Sequence, residues 1–151
     1  MNLTKLVNFM TKFYFCGSIR GGRQLAGRYS RIIEWLKPYG LVLTEHVGDD
    51  GMISTDDRSL TDREIHDRDM GWIAASDLVI AEVTVPSLGV GYEIARALQL
   101  GKPVWCLFHS EADTALSAMI SGCSELKVIR YSQPDELREQ LQLFLSGEHH
   151  V

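Results

Sequence analysis

The sequence predicts an α/β protein: a single flavodoxin-like or Rossmann-like domain built on a doubly wound, five-stranded parallel sheet. Three observations predict that class. Short apolar runs rich in β-branched and aromatic residues recur along the chain, and segments of helical period separate them. The chain holds 151 residues, enough for one compact domain and too few for two comfortable ones. At this size roughly 68–70% of the unfolded surface is buried on folding, so a core forms without metal or disulfide staples.

KFYFCGSI (12–19) is the first strand. Residues 24–38 follow as a helix, with Leu25, Tyr29, Ile32, Ile33 and Leu36 on one face. LVLTEHV (41–47) is the second strand, and the polar stretch 48–60 after it is an acidic, solvated loop or lid; the ligand spacing of an EF-hand is absent from it. Thr61 and Glu64 form a capping box that opens a helix to about Ser76. DLVIAEV (77–83) is the third strand, and a glycine-containing turn leads from it into a helix over 90–100. PVWCLF (103–108), a helix near 114–121, LKVIRY (126–131) and a helix from Pro134 to about Ser146 complete the series. Pro134 suits a first helical turn, where its missing N–H would be unpaired anyway. The domain is expected over 12–147, between a loose tail at 1–11 and a short one at 148–151.

Hydrophobic residues at 45%, charged residues at 23% and 13 glycines place the chain among ordinary soluble domains. Fifteen basic against twenty acidic side chains give a net charge of −5, which excludes a generally basic nucleic-acid coat but leaves room for a local anion site. Cys16, Cys106 and Cys123 are odd in number and form no C-x-x-C pair, which argues for a reducing compartment and against a structural zinc site. Cys16 and Cys106 lie in apolar runs and read as small buried hydrophobes. No run approaches 18 apolar residues, and MNLTKLVNFMTK makes a poor signal peptide. The expected location is the cytoplasm, with the nucleus as the further compartment.

Alternating strands and helices imply a sheet covered on both faces, with a strand order such as 2-1-3-4-5. Ligands then bind beyond the carboxyl ends of the first and third strands, where the order reverses. That placement selects two loops, 17–23 and 84–91. GSIRGGR (17–23) lacks the pattern of a P-loop and that of a dinucleotide fold. It is either a glycine-rich turn whose N–H groups approach an anion beside Arg20 and Arg23, or a tight turn with solvated arginines. In PSLGVGYE (86–93), Ser87, Gly89 and Gly91 put a hydroxyl and uncrowded N–H groups at a helix start, where anions are stabilised. Ser87 read alone is equally an N-cap.

Two carboxylates break the pattern of their helices. Glu93 lies in a first turn and shares a stripe with Ala97 and Leu100, so it faces inward, and the helix dipole favours its ionised form. The bland alternative is a carboxylate that only counters the dipole. Asp69 lies four residues after Ile65, three before Trp72 and four before Ile73, an apolar setting that raises a carboxyl pKa. Asp67 is a solvated charge. One ionised and one protonated inward carboxyl are what cleavage of a glycosidic bond requires. His66 and Asp69 hint at a metal pair, but no third ligand is evident, and no metal or cofactor is called for.

At these residues the sequence resembles a known family. YFCGSIRGGR (14–23), LTEHV (43–47), IHDRDMGWI (65–73), VIAEVTVPSLGVGYE (79–93) and LSAMI (116–120) are similar to segments of the 2′-deoxynucleoside 5′-phosphate N-hydrolases, relatives of the nucleoside 2-deoxyribosyltransferases. The resemblance covers about residues 13–131. It implies hydrolysis of the N-glycosidic bond of 2′-deoxynucleoside 5′-monophosphates to free base and 2-deoxyribose 5-phosphate. It also implies Glu93 as nucleophile through a covalent glutamyl intermediate, Asp69 as acid/base, and Tyr14 in contact with the nucleophile. By the same resemblance Gly17, Ser18, Ile19, Arg20 and Gly21 hold phosphate with Ser87 and Gly89, and His46 lines the base side or is structural. The resemblance also implies a homodimer whose second subunit supplies Ser117 as a further phosphate ligand.

A 2-deoxyribosyl centre lacks the electron-withdrawing 2′-hydroxyl and ionises readily. The protein then has to provide a carboxylate under the anomeric carbon, a proton or hydrogen bond for the leaving base, and a phosphate anchor. Base exchange by a transferase is the nearest competing reading, and a non-catalytic nucleotide sensor is the competitor from another class. A phosphoribohydrolase is third, and its P-G-G-x-G-T signature is missing. Base preference is not legible in the sequence.

Overall fold

The computed structural model describes residues 11–19, 23–45 and 59–147. The expected tails at 1–10 and 148–151 and most of the loop 48–60 lie outside the described residues, as do Arg20, Gly21 and His46. Among the described residues the chain runs β1 (Lys12–Gly17), α1 (Arg23–Leu36), a 3-10 turn (Lys37–Tyr39), β2 (Leu41–Val42), α2 (Asp62–Ala75) and β3 (Leu78–Glu82). It continues through α3 (Leu88–Gln99), β4 (Val104–His109), α4 (Ala118–Ser121), β5 (Leu126–Tyr131) and α5 (Pro134–Leu145).

The five strands form one all-parallel sheet in the order β2-β1-β3-β4-β5, the order expected from the alternation of elements. Side chains alternate along each strand, so β1 sends Phe13 and Phe15 to one face and Tyr14 and Cys16 to the other. The first face packs against α1 and α5, where Ile32, Leu36, Leu137 and Leu141 meet Ile80 and Leu107. The second packs against α2 and α3, where Ile73, Ile94 and Ala97 meet Val79, Ala81 and Cys106. Cys16 and Cys106 are buried there, as their apolar neighbours predict.

The capping box is formed: Thr61 accepts from the Glu64 N–H, and the Glu64 carboxylate accepts from the Thr61 N–H at 2.8 Å. Pro134 occupies the first turn of α5. β1 and β3 are each two residues shorter in total than the expected strands, and two further elements are much shorter than the sequence predicts. β2 stops at Val42 because the Thr44 side chain takes over the ladder, accepting from the Phe15 N–H at 2.8 Å and donating to the Phe15 carbonyl at 2.6 Å. The helix expected near 114–121 begins only at Ala118, after an extended Ser117 (φ −50°, ψ 132°). The register aligns Gly17 with Glu82 and Glu82 with Leu107, so β1 and β3 end level while β4 runs on to His109. Everything that leaves those ends converges above the switch point between β1 and β3.

Candidate active site

At the switch point the two selected loops and α2 enclose a cavity of about 580 Å³. Gly17, Ser18 and Ile19 line it from the end of β1; His66, Asp69 and Met70 from α2; Ser87, Gly89, Tyr92 and Glu93 from the start of α3. Seven of the residues singled out in the sequence for catalysis or substrate binding therefore share one cavity. Tyr14 lies beneath it, 1% exposed, and its hydroxyl donates to Glu93 Oε1. Ser87 is both N-cap and cavity wall: its hydroxyl accepts from the Val90 N–H at 3.4 Å. Gly89 is not demanded by packing, since a Cβ there would meet nothing nearer than Ser87 Oγ at 3.8 Å.

Ser117 lies elsewhere within the protomer. It lines a second, more apolar groove of about 520 Å³ between α3 and the segment 115–126. Pro86, Ser87, Leu88 and Val90 border both spaces, and Leu88 and Met119 stand 96% and 82% exposed beside the groove.

The electrostatics depart from the sequence reading for both carboxyls. The dipole argument expects an ionised Glu93. Burial outweighs it: desolvation first, and the nearby Asp69 charge besides, push the Glu93 carboxyl up to about 7 against the hydrogen bonds from Tyr14 and Cys16. Asp69 was expected in apolar surroundings that would keep it protonated. Instead its side chain is 22% exposed and ion-paired with Arg68, whose Nη2 lies 2.9 Å and whose Nε lies 3.0 Å from Oδ1. That guanidinium in turn lies 4.6 Å from the centroid of the Trp72 ring. Burial and the Glu93 charge raise the Tyr14 hydroxyl far above the ordinary phenol range, so it remains a donor. Asp67 is exposed, as expected, and contacts Arg63 and His66.

Sequence reasoning missed two cavity residues with polar tips. His66 was considered only as a metal ligand, and Tyr92 not at all, although they lie three residues before Asp69 and one before Glu93. Their ring contact, Nε2 to hydroxyl at 3.0 Å, is tertiary and leaves no signal in either helix. Among the described residues no group of three or more His, Cys, Asp or Glu is placed to hold a metal ion.

A parallel sheet with paired carboxyls in a cleft at its switch point defines a class of small-molecule enzyme folds rather than one reaction. Comparison with known proteins narrows it. The sequence profile of the nucleoside 2-deoxyribosyltransferase family matches residues 13–138, and the chain belongs to that family. Over 133 residues it is 47% identical to the 5-hydroxymethyl-dUMP N-hydrolase of Mus musculus, covering 87% of this chain and 76% of the mouse protein. The enzyme of the same name from Tetraodon nigroviridis is 47% identical over 140 residues, 91% of this chain and 99% of the fish protein. Among solved structures, the CMP N-glycosidase BcmB of Clostridium botulinum superposes with a TM-score of 0.66 at 21% identity. That match covers 89% of this chain and 99% of BcmB, a shared fold.

Proposed function

We propose that the protein hydrolyses the N-glycosidic bond of 2′-deoxynucleoside 5′-monophosphates, yielding free base and 2-deoxyribose 5-phosphate. The observation that carries this reading is Glu93: a half-buried carboxyl held by Tyr14, next to Asp69, in a cavity whose other end is a helix N-terminus with a hydroxyl and a glycine. The curated relatives named as hydrolases of a deoxynucleoside monophosphate support it.

Phosphate sits against Ser18, Ser87 and Gly89, where α3 presents unpaired N–H groups and its positive dipole end. Arg20 and Gly21 belong to the same loop in sequence, and His46 is assigned to the base side. The anchored phosphate sets the sugar over Glu93, so that binding far from the reacting bond is converted into orientation. In the productive form Glu93 is bare and Asp69, its pairing with Arg68 released, holds a proton. A Glu93 oxygen bonds to C1′, the C1′–N bond breaks with its electron pair going to the base, and Asp69 protonates that nitrogen. Water then attacks C1′, gives a proton to Asp69 and releases Glu93. Tyr14 fixes the attacking carboxylate throughout.

The apolar groove carrying Ser117, with Leu88 and Met119 exposed beside it, supports a homodimer in which Ser117 reaches the neighbouring site. Sedimentation of an active monomer at micromolar concentration would exclude that arrangement.

The deciding experiment incubates the protein with deoxynucleotides, deoxynucleosides and ribonucleotides, then separates the products by chromatography. Base release from the 5′-monophosphates of 2′-deoxynucleosides, at least tenfold faster than from the other two sets, is expected. Comparable kcat/KM on a deoxynucleoside and its 5′-monophosphate would refute the phosphate assignment. New nucleotides formed when a second base is added would identify a transferase.

A further inference from the structure

Two polar residues of the cavity, His66 and Tyr92, have no part in the chemistry above. His66 Nδ1 lies 2.9 Å from Asp67 Oδ1, and its Nε2 lies 3.0 Å from the Tyr92 hydroxyl. The two rings are 5.7 Å apart, tilted by 50°. Both line the cavity together with Asp69 and Glu93.

The chain of two contacts sets where each hydrogen lies. A carboxylate only accepts, so Asp67 requires the proton of the neutral imidazole on Nδ1. Nε2 is then the acceptor, and the Tyr92 O–H donates to it. With its single hydrogen committed, the Tyr92 oxygen can only accept from anything that enters the cavity. Its position is also suitable. Tyr92 follows the Ser87 cap by five residues, about 7.5 Å along the helix axis, so it stands away from the phosphate end. His66 precedes Asp69 by three residues and shares its helical face.

We propose that Tyr92, held as an obligate acceptor by His66 and Asp67, reads an N–H or O–H donor on the leaving base and so sets base preference. The inference rests on the hydrolase reading above. A base that offers a lone pair at that point meets a second lone pair; one that offers a hydrogen completes the chain. Tyr92 is 48% exposed, so the discrimination arises where the base covers its hydroxyl and a mismatch leaves polar groups unpaired.

The test compares kcat/KM of the wild type, Tyr92→Phe and His66→Ala on two matched pairs at about pH 8, above the ordinary imidazole range. The pairs are dUMP with N3-methyl-dUMP, and 5-hydroxymethyl-dUMP with its methyl ether. In at least one pair, Tyr92→Phe is expected to lose about five- to tenfold on the donor-bearing member and less than twofold on the methylated one. His66→Ala frees the hydroxyl to donate, so preference within that pair should relax in the same direction. Equal losses on all four nucleotides, as from a wall residue that merely shapes the mouth, would overturn the inference while leaving the hydrolase reading intact. So would unchanged rates on all four. Absence of base release by the wild type would overturn both.

Discussion

Glu93 and Glu82 are two glutamates near the same end of the sheet, on opposite faces, the first half-buried and the second fully buried. Glu82 closes β3 and is 0% exposed. Its Oε1 accepts from both the N–H and the hydroxyl of Thr84, and its Oε2 is without a hydrogen-bond partner. Burial raises its carboxyl against the pull of Thr84 and Arg28. Glu93 is raised by the same cause, but it opens onto a cavity and receives a side-chain donor from another element. A perturbed carboxyl is therefore not a sufficient mark of chemistry in this protein. What separates the two is access: one faces a space that a substrate can enter, the other faces the packed layer of α1 and α5.

Replacing each glutamate should break the comparison in opposite ways. Glu93→Gln is expected to lower kcat by at least about a thousandfold, since an amide is a poor nucleophile, and to leave the fold intact. Its stability should exceed that of the wild type by a margin that depends on pH. A carboxyl raised from 4.5 to about 7 by folding contributes stability below pH 4.5 that is lost as pH rises through 7. The margin in denaturant midpoint should therefore widen from pH 4.5 to 7 and stay level above that, reaching at most roughly 3 kcal/mol. Near-normal turnover by this variant, or an inverted methyl glycoside on methanolysis, would remove Glu93 from the nucleophile's role.

Glu82→Ala should do the reverse. It removes the acceptor for Thr84 from a buried site and is expected to cost about 1–3 kcal/mol in urea unfolding. The kcat of the folded fraction should change less than about threefold. A large loss of kcat at unchanged stability would show that Glu82 communicates with the cavity after all.

The smallest expected effect sharpens the comparison on the Glu93 side alone. The free enzyme must ionise Glu93 before attack, so the rising limb of kcat/KM against pH should lie near 7. Tyr14→Phe removes a hydrogen bond that favours the ionised form, so the limb should move to higher pH, with a loss in kcat of about tenfold. A limb that stays in place would mean that another group governs it.

The sheet order was legible because the alternation of β-branched runs with amphipathic helices admits few topologies. The Thr61 capping box was legible because its partners are three residues apart. The inward turn of Glu93 followed from its stripe with Ala97. The length of β2 was not, since Thr44 imitates a backbone ladder with its side chain. Nor was the pairing of Asp69. Arg68 adjoins Asp69 in sequence, and helical-face reasoning weighs positions three and four apart while passing over the immediate neighbour. For Glu93 the dipole was visible in the sequence and the depth of burial was not. Contacts such as His66 to Tyr92 exist only once two helices have been packed together.

Gly17 links the cavity to the far side of the sheet. A Cβ on it would come within 2.5 Å of Tyr29 Cζ, and the Tyr29 hydroxyl donates to the Ser18 carbonyl at 3.2 Å. The ring is thus a shim set behind the turn: its thickness fixes how far back Gly17 rests, and its hydroxyl fixes the pitch of the peptide that follows. The width of the mouth on that side is gauged by a tyrosine that the cavity never touches. Residues on α1, across the sheet from the carboxyls, are consequently the place where this mouth can be widened or narrowed without replacing a single group that faces the substrate.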